Sequence, residues 1–243
     1  MLLSLLCISC YAEAESKPVI VASDIWCPYI CADNSGYLVE LTHQAFKTVG
    51  VNVKFATIPF PRALRLAEND QIHAVLAVTP EHIDRHKLQP SSLILGEYAN
   101  DFYVHIENDW QYSALDGLNN KAIASILGYD YGDKINRLLE QNPQNFRASG
   151  EYPLKTNLNL LHRGRVEVLL GNRYVIEYSA KKLGYLEQIK FAGTEGIATP
   201  LYVGFSYKDI KQDYPNKFAE GIKNIKRSGQ YQAILDKYHI EVW

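Results

Sequence analysis

The stretch from residue 20 to residue 50 constrains the fold of this chain more than any other. Val19-Ile20-Val21-Ala22 leads into it as a short apolar run rich in β-branched residues, the pattern of a strand covered on both faces of its sheet. Leu38, Leu41, Ala45, Phe46 and Val49 then recur at helical spacing, and Gly50 provides a stop. Between strand and helix lies a loop bearing aromatic residues and cysteine, with Asp24, Trp26, Tyr29 and Tyr37 around the carboxyl end of the strand. That end is where open α/β sheets bind ligands. The pattern repeats. Residues 53–56 read as a strand ahead of a helix that opens at Phe60-Pro61-Arg62, and residues 73–78 as an almost wholly apolar, central strand. This last strand runs into Thr79-Pro80-Glu81-His82, with Thr79 as N-cap, Pro80 at the first helical position and Glu81 at the positive end of the helix dipole. Backbone N–H groups at such a start are expected to offer an anion a seat beside Asp24 and Trp26.

The 243 residues suffice for one large or two small α/β domains. A hydrophobic fraction of 47% and a formal charge of −2 are ordinary for a soluble globular protein and give no case for nucleic acid or an acidic membrane surface. The 17 tyrosines are an excess; they suit a surface that grips small molecules with ring and hydroxyl, or are simply spread over strands. Residues 1–14 read as an export leader, with an apolar stretch too short to span a bilayer followed by the small-x-small pattern Ala12-Glu13-Ala14. A lipid on Cys10 is disfavoured because Cys7 stands where a lipoprotein signal normally has Leu. The expectation is a periplasmic protein. Once a leader is removed, Cys27 and Cys31 remain, and an exported pair in one short loop suggests a disulfide that sets the rings of Trp26 and Tyr29. A metal site would need two further soft ligands.

Further along, residues 98–106 alternate like a strand leaving the first domain, and residues 121–126 open a second strand-and-helix unit. Its loop, Leu127-Gly128-Tyr129-Asp130-Tyr131-Gly132-Asp133, lets a backbone approach a ligand closely but lacks the spacing of a phosphate loop. A helix over 158–163, a strand over 166–170, the polar tip Gly171-Asn172-Arg173 and a helix over 174–182 follow. Residues 199–206 read as a strand returning to the first domain, and residues 216–237 as two helices broken at Ser228-Gly229. The division expected is a first lobe of 15–104 with 200–243 and an inserted second lobe of 105–199.

Several of these pieces carry a resemblance. Trp26-Cys27-Pro28-Tyr29 with Gly36-Tyr37, Pro61-Arg62-Ala63-Leu64 with Ile72-His73-Ala74-Val75, Thr79-Pro80-Glu81, Gly128-Tyr129-Asp130-Tyr131-Gly132, Gly164-Arg165-Val166-Glu167 and the ending Ser228-Gly229-Gln230-Tyr231 stand in one order along the chain. In that order they resemble the family 3 periplasmic solute-binding proteins, the receptors of polar amino-acid importers. The resemblance implies two α/β lobes joined by two hinge strands, a small-molecule ligand closed between them, no cofactor, and a monomer that meets an inner-membrane importer or a sensor protein. Members that bind α-amino acids usually carry Arg where His82 stands, to clamp the carboxylate, and Asp where Asn172 stands, to take the ammonium. Losing both charges removes the two strongest orienting contacts for a zwitterion.

The candidate ligand contacts are therefore Asp24, Trp26, Tyr29, Phe60, Arg62, Thr79 and His82 from the first lobe, and Gly128, Tyr129, Asn172 and Arg173 from the second. Each has a plainer reading. Asp24 can cap its own loop, Trp26 and Tyr29 can pack on the cysteine pair, and Arg62, Arg85 and Arg173 can be surface cations. His82 and His86 share a helical face at metal-compatible spacing, but no third ligand or HExxH pattern accompanies them. Three functions fit: a non-catalytic receptor, a cyclohexadienyl dehydratase-type enzyme on the same scaffold using an acid such as Glu97, Asp101 or Asp130, and a sensory receptor. The receptor reading leads, because no catalytic set or nucleophile elbow stands out.

Overall fold

The computed structural model describes residues 17–238 and 240, so the expected leader lies outside the described residues. The chain begins β1 (Val19–Ser23), α1 (Tyr37–Thr48), β2 (Val53–Thr57), α2 (Phe60–Glu68), β3 (Ala74–Val78), α3 (Pro80–Arg85), β4 (Gln89–Pro90) and β5 (Gly96–His105). It continues with β6 (Ile123–Ile126), α4 (Asp133–Gln141), β7 (Phe146–Ala148), α5 (Pro153–His162), β8 (Val168–Gly171), α6 (Arg173–Leu183) and β9 (Ile189–Phe205). Helices α7 (Tyr214–Arg227) and α8 (Gln230–Tyr238) close it.

The strands lie in the order β2-β1-β3-β9-β5-β8-β6-β7, with β4 paired to β9. Strands β1, β2 and β3 run parallel, as do β6, β7 and β8; the two sets are joined by the antiparallel β5 and β9. Alternate residues of each central strand face opposite cores. Val19 and Val21 pack with Ala74 and Leu76 under α1 and α7, whereas Ala22, Val75 and Val78 pack under α2 and α3. In the second set Phe102, Val104, Val168 and Leu170 meet Ile135 and Leu139 of α4, while Tyr103 and Leu169 meet Leu158, Leu161 and Ile176 of α5 and α6. Helices on both faces explain why β1, β3 and β8 are apolar almost throughout.

Two elements differ from the reading of the sequence in a way that matters. Strand β9 begins at Ile189, not near residue 199, because pairing with β5 extends it through a polar, Gly-bearing segment that no hydrophobic alternation marks. Helix α5 begins at Pro153, with Pro in its first turn, ahead of the apolar spacing that suggests a start at residue 158. The short strands β4 and β7 carry no apolar pattern and are defined by their partners.

The loop between β1 and α1 is built tightly. Cys27 and Cys31 are joined in a disulfide, and Trp26 and Ile30 pair as an isolated bridge, with Trp26 N–H donating to the Ile30 carbonyl at 2.7 Å. Gly36 precedes α1 with φ +117°, and a Cβ there would stand 2.5 Å from the Tyr29 carbonyl oxygen. Gly36→Ala is therefore expected to lower stability by about 2–3 kcal/mol, through both backbone conformation and overlap. Urea unfolding of the variant checks this; a change below about 0.5 kcal/mol would show that the loop yields instead.

Candidate functional site

Beyond the carboxyl ends of β1 and β3 lies a cleft of about 360 Å³ that takes its walls from both sets of strands. The loop after β1 contributes Ser23, Asp24 and Trp26, and α2 contributes Phe60, Pro61, Leu64 and Arg65. Ala77, Thr79, His82, Arg85 and His86 come from the end of β3 and from α3. The opposite wall is Gly128, Tyr129 and Asp130, and the floor holds Tyr98 of β5 and Leu201 of β9.

Aromatic rings define its shape. Tyr29 covers one face of the Trp26 indole, with centroids 4.2 Å apart, so the indole presents its remaining surface to the cleft. Tyr98 stands 6.2 Å from Trp26, and the ring of Phe60 meets that of His82 edge-on at 5.1 Å. Tyr129 faces in from the other side, on a loop held by Tyr131, whose hydroxyl accepts the Ile126 N–H at 2.9 Å. Ala77 adopts φ +60° where the register between β3 and β9 shifts, so a bulge turns the strand end at the cleft.

The helix start at Thr79 is satisfied internally. His82 N–H donates to Thr79 Oγ1 at 3.4 Å, and Thr79 N–H donates to His82 Nδ1 at 3.2 Å. With α3 only six residues long, this reciprocal cap takes up the His82 N–H, one of the donors expected to face an anion. Because Nδ1 accepts, neutral His82 carries its proton on Nε2. Burial pulls its pKa down to about 4, against the raising influence of Asp130.

The remaining charges are unequally compensated. Arg85 pairs with Glu81 on its own helix and reaches across the cleft to Asp130, with Nη1 3.5 Å from Oδ2. Burial pushes the Asp130 carboxyl up, but bonds from Gly132 N–H and the Asn136 amide, with the charge of Arg85, together hold it below its ordinary value. His86 bonds Glu68 at 2.8 Å. Arg65 is exposed on the second turn of α2. Asp24 is half-buried, accepts the Ile25 N–H at 2.8 Å, and has no ion-pair partner among the described residues. The Tyr129 hydroxyl is raised by burial first and by the negative charge of Asp24 second, which sets these two groups against each other over the cleft.

Of the residues expected to contact a ligand, the structure gathers Asp24, Trp26, Phe60, Thr79, His82, Gly128 and Tyr129 around one space. It places four elsewhere. Tyr29 is fully buried, donates to the Glu97 carbonyl at 3.2 Å, and bonds the side chain of Asn172. Asn172 is likewise buried, as the N-cap of α6 accepting Val175 N–H at 3.4 Å, so it is not the polar tip its sequence context suggests. Arg173 lays its guanidinium on Phe191 at 4.3 Å and approaches buried Asp101. Arg62 is exposed on α2 and does not line the cleft, which takes Phe60, Pro61, Leu64 and Arg65 from that helix. Tyr98, Leu201 and Arg65 escaped the sequence reading. Only Arg65 left a signal there, its helical spacing from Pro61.

The profile of bacterial extracellular solute-binding proteins, family 3, matches residues 19–241. The arginine-binding periplasmic protein of Mannheimia haemolytica is 20% identical over 237 residues, covering 94% of each chain. Among solved structures, the arginine-, lysine-, histidine-binding protein ArtJ from Geobacillus stearothermophilus superposes with a TM-score of 0.73 at 18% identity, covering 91% of this chain and 95% of its own. A histidine kinase sensor domain with similarity to periplasmic binding proteins also gives 0.73, at 16% identity, covering 91% and 96%.

The buried His82 makes stability depend on pH in a calculable direction. An unfolded histidine protonates near pH 6.5, whereas folded His82 stays neutral down to about 4. Between these values the unfolded chain binds more protons, so stability falls as pH drops from about 6.5 toward 4. His82→Gln keeps an acceptor for the Thr79 N–H and is expected to shrink the Tm difference between about pH 6.5 and pH 4.5. Thermal melts at the two values test this, and an unaltered difference rules His82 out as its source.

Proposed function

The chain belongs to the bacterial extracellular solute-binding proteins, family 3, and from that premise we propose that it is an exported receptor which closes two lobes over one small solute. The observation that carries this reading is the cleft of about 360 Å³, walled by Asp24, Trp26 and Phe60 on one side and by Gly128 and Tyr129 on the other. A space of that volume suits a solute the size of an amino acid, the class bound by the arginine-binding relatives. The lobes of this proposal are residues 15–104 with 200–243, and 105–199, joined where β5 and β9 pair. Tyr29 and Asn172 act as a contact between the lobes, and Trp26, Phe60 and Tyr129 as the walls against the ligand. Delivery to an inner-membrane importer, without turnover of the solute, is the accompanying role.

A second reading, ligand sensing for a partner protein, is favoured by the likeness to the histidine kinase sensor domain. Uptake of the bound solute by cells with and without the protein separates the two. Loss of uptake supports delivery, whereas unchanged uptake with an altered transcriptional response supports sensing.

A thermal-shift screen of amino acids, amines, sugars, carboxylates and aromatic metabolites should yield a ligand that raises Tm by mass action. Trp26→Ala and Tyr129→Ala, one from each wall, should each weaken that ligand at least about tenfold, near 1.4 kcal/mol, in titration calorimetry. Unchanged affinity in both variants would reject the cleft as the binding site.

A further inference from the structure

We propose that the cleft is built for a small organic cation, an amine, guanidine or quaternary ammonium, that carries no carboxylate beside its charged group. This rests on the cleft being the binding site and names the chemical class it takes. Asp24 is the anchor of the argument. Its carboxylate lies half-buried at the end of β1, one oxygen is occupied only by the neighbouring Ile25 N–H, and among the described residues no Lys, Arg or His pairs with it. It shares the lining of the cleft with Trp26, Phe60, Tyr98 and Tyr129, aromatic rings of the kind whose faces attract cations. A half-buried carboxylate within aromatic walls loses hydration without gaining a counter-charge, and a ligand cation supplies that charge.

A carboxylate on the same ligand would find no such reception. Arg85 already serves Glu81 and Asp130, and His86 serves Glu68. His82 has Nδ1 filled by the Thr79 N–H and is held neutral by burial, leaving it one uncharged N–H to offer. Arg65 remains, but it stands exposed where solvent and salt screen it. Asn172 and Arg173 are committed to the α6 N-terminus, Tyr29, Asp101 and Phe191, outside the cleft. The half-buried charge left without an opposite is therefore negative.

The experiment is calorimetric titration of the full chain with matched pairs: agmatine and arginine, cadaverine and lysine, tyramine and tyrosine. At least one amine is expected to bind ten or more times tighter than its parent amino acid. Asp24→Asn, which retains the acceptor for Ile25 N–H, should weaken that amine at least tenfold with circular dichroism unchanged. Parent amino acids binding as tightly as or tighter than the amines, a neutral solute binding best, or an amine indifferent to Asp24→Asn would each overturn the inference. Those outcomes leave the receptor reading intact as long as Trp26→Ala and Tyr129→Ala still weaken whichever solute binds. Failure of all six probes overturns the inference too, and the wider thermal-shift screen then decides the receptor reading by itself.

Discussion

The structure depends on the antiparallel ladder between β5 and β9. It runs from Gly96 opposite Leu201 to His105 opposite Ile189, and it is the place where the two sets of parallel strands are joined. Register shifts between Tyr98 and Asn100 and between Phe102 and Tyr103 interrupt it, and such irregularities bend and twist strands locally. Two long paired strands thus form the connection between the halves. The same strands bring Tyr98 and Leu201 to the floor of the cleft, so the element that joins the halves also touches what lies between them.

The aromatic wall is tied to that ladder. Tyr37 donates to the Leu95 carbonyl at 2.6 Å and Tyr29 to the Glu97 carbonyl, so two buried hydroxyls anchor the disulfide-closed loop to the beginning of β5. Both phenols satisfy their polar ends where no water reaches, which is the condition for burying tyrosine. Trp26 lies flat against Tyr29, so its position is fixed by packing from behind. The electrostatics follow the same division of labour. Charges that span the cleft, Arg85 and Asp130, compensate each other, and Asp24, which lines the same cleft, has no ion-pair partner among the described residues.

Much of the frame was legible because its causes are local. The apolar runs of β1 and β3, the helical spacing of α1, the Thr79-Pro80 start of α3 and the break at Ser228-Gly229 all follow from the residues themselves. The family resemblance carried over the same stretches, and the profile match spans them. The early start of β9 was not legible, since Lys190, Thr194 and Glu195 join a strand only through the partner that β5 supplies. Asp24, Trp26, Phe60 and Tyr129 were legible as cleft residues because each follows a strand end or opens a helix at the same rim. Asn172 misled for a comparable reason. A polar residue at a strand end reads as an exposed tip until a helix is seen to take it as its cap and a tyrosine from the other side is seen to bury it.

By itself the sequence determined the apolar central strands and most of the helices, that these strands are covered on both faces, and which aromatic and acidic side chains sit at one edge of the sheet. These properties come from periodicity, β-branching and capping chemistry, all of which act over a few residues. Only the tertiary structure decided which charges are neutralised. Whether Arg85 is a free cation or Asp130's partner, whether His82 is charged, and whether Asp24 has an ion-pair partner among the described residues are settled by distances across the cleft and by burial, and neither is encoded in neighbouring residues.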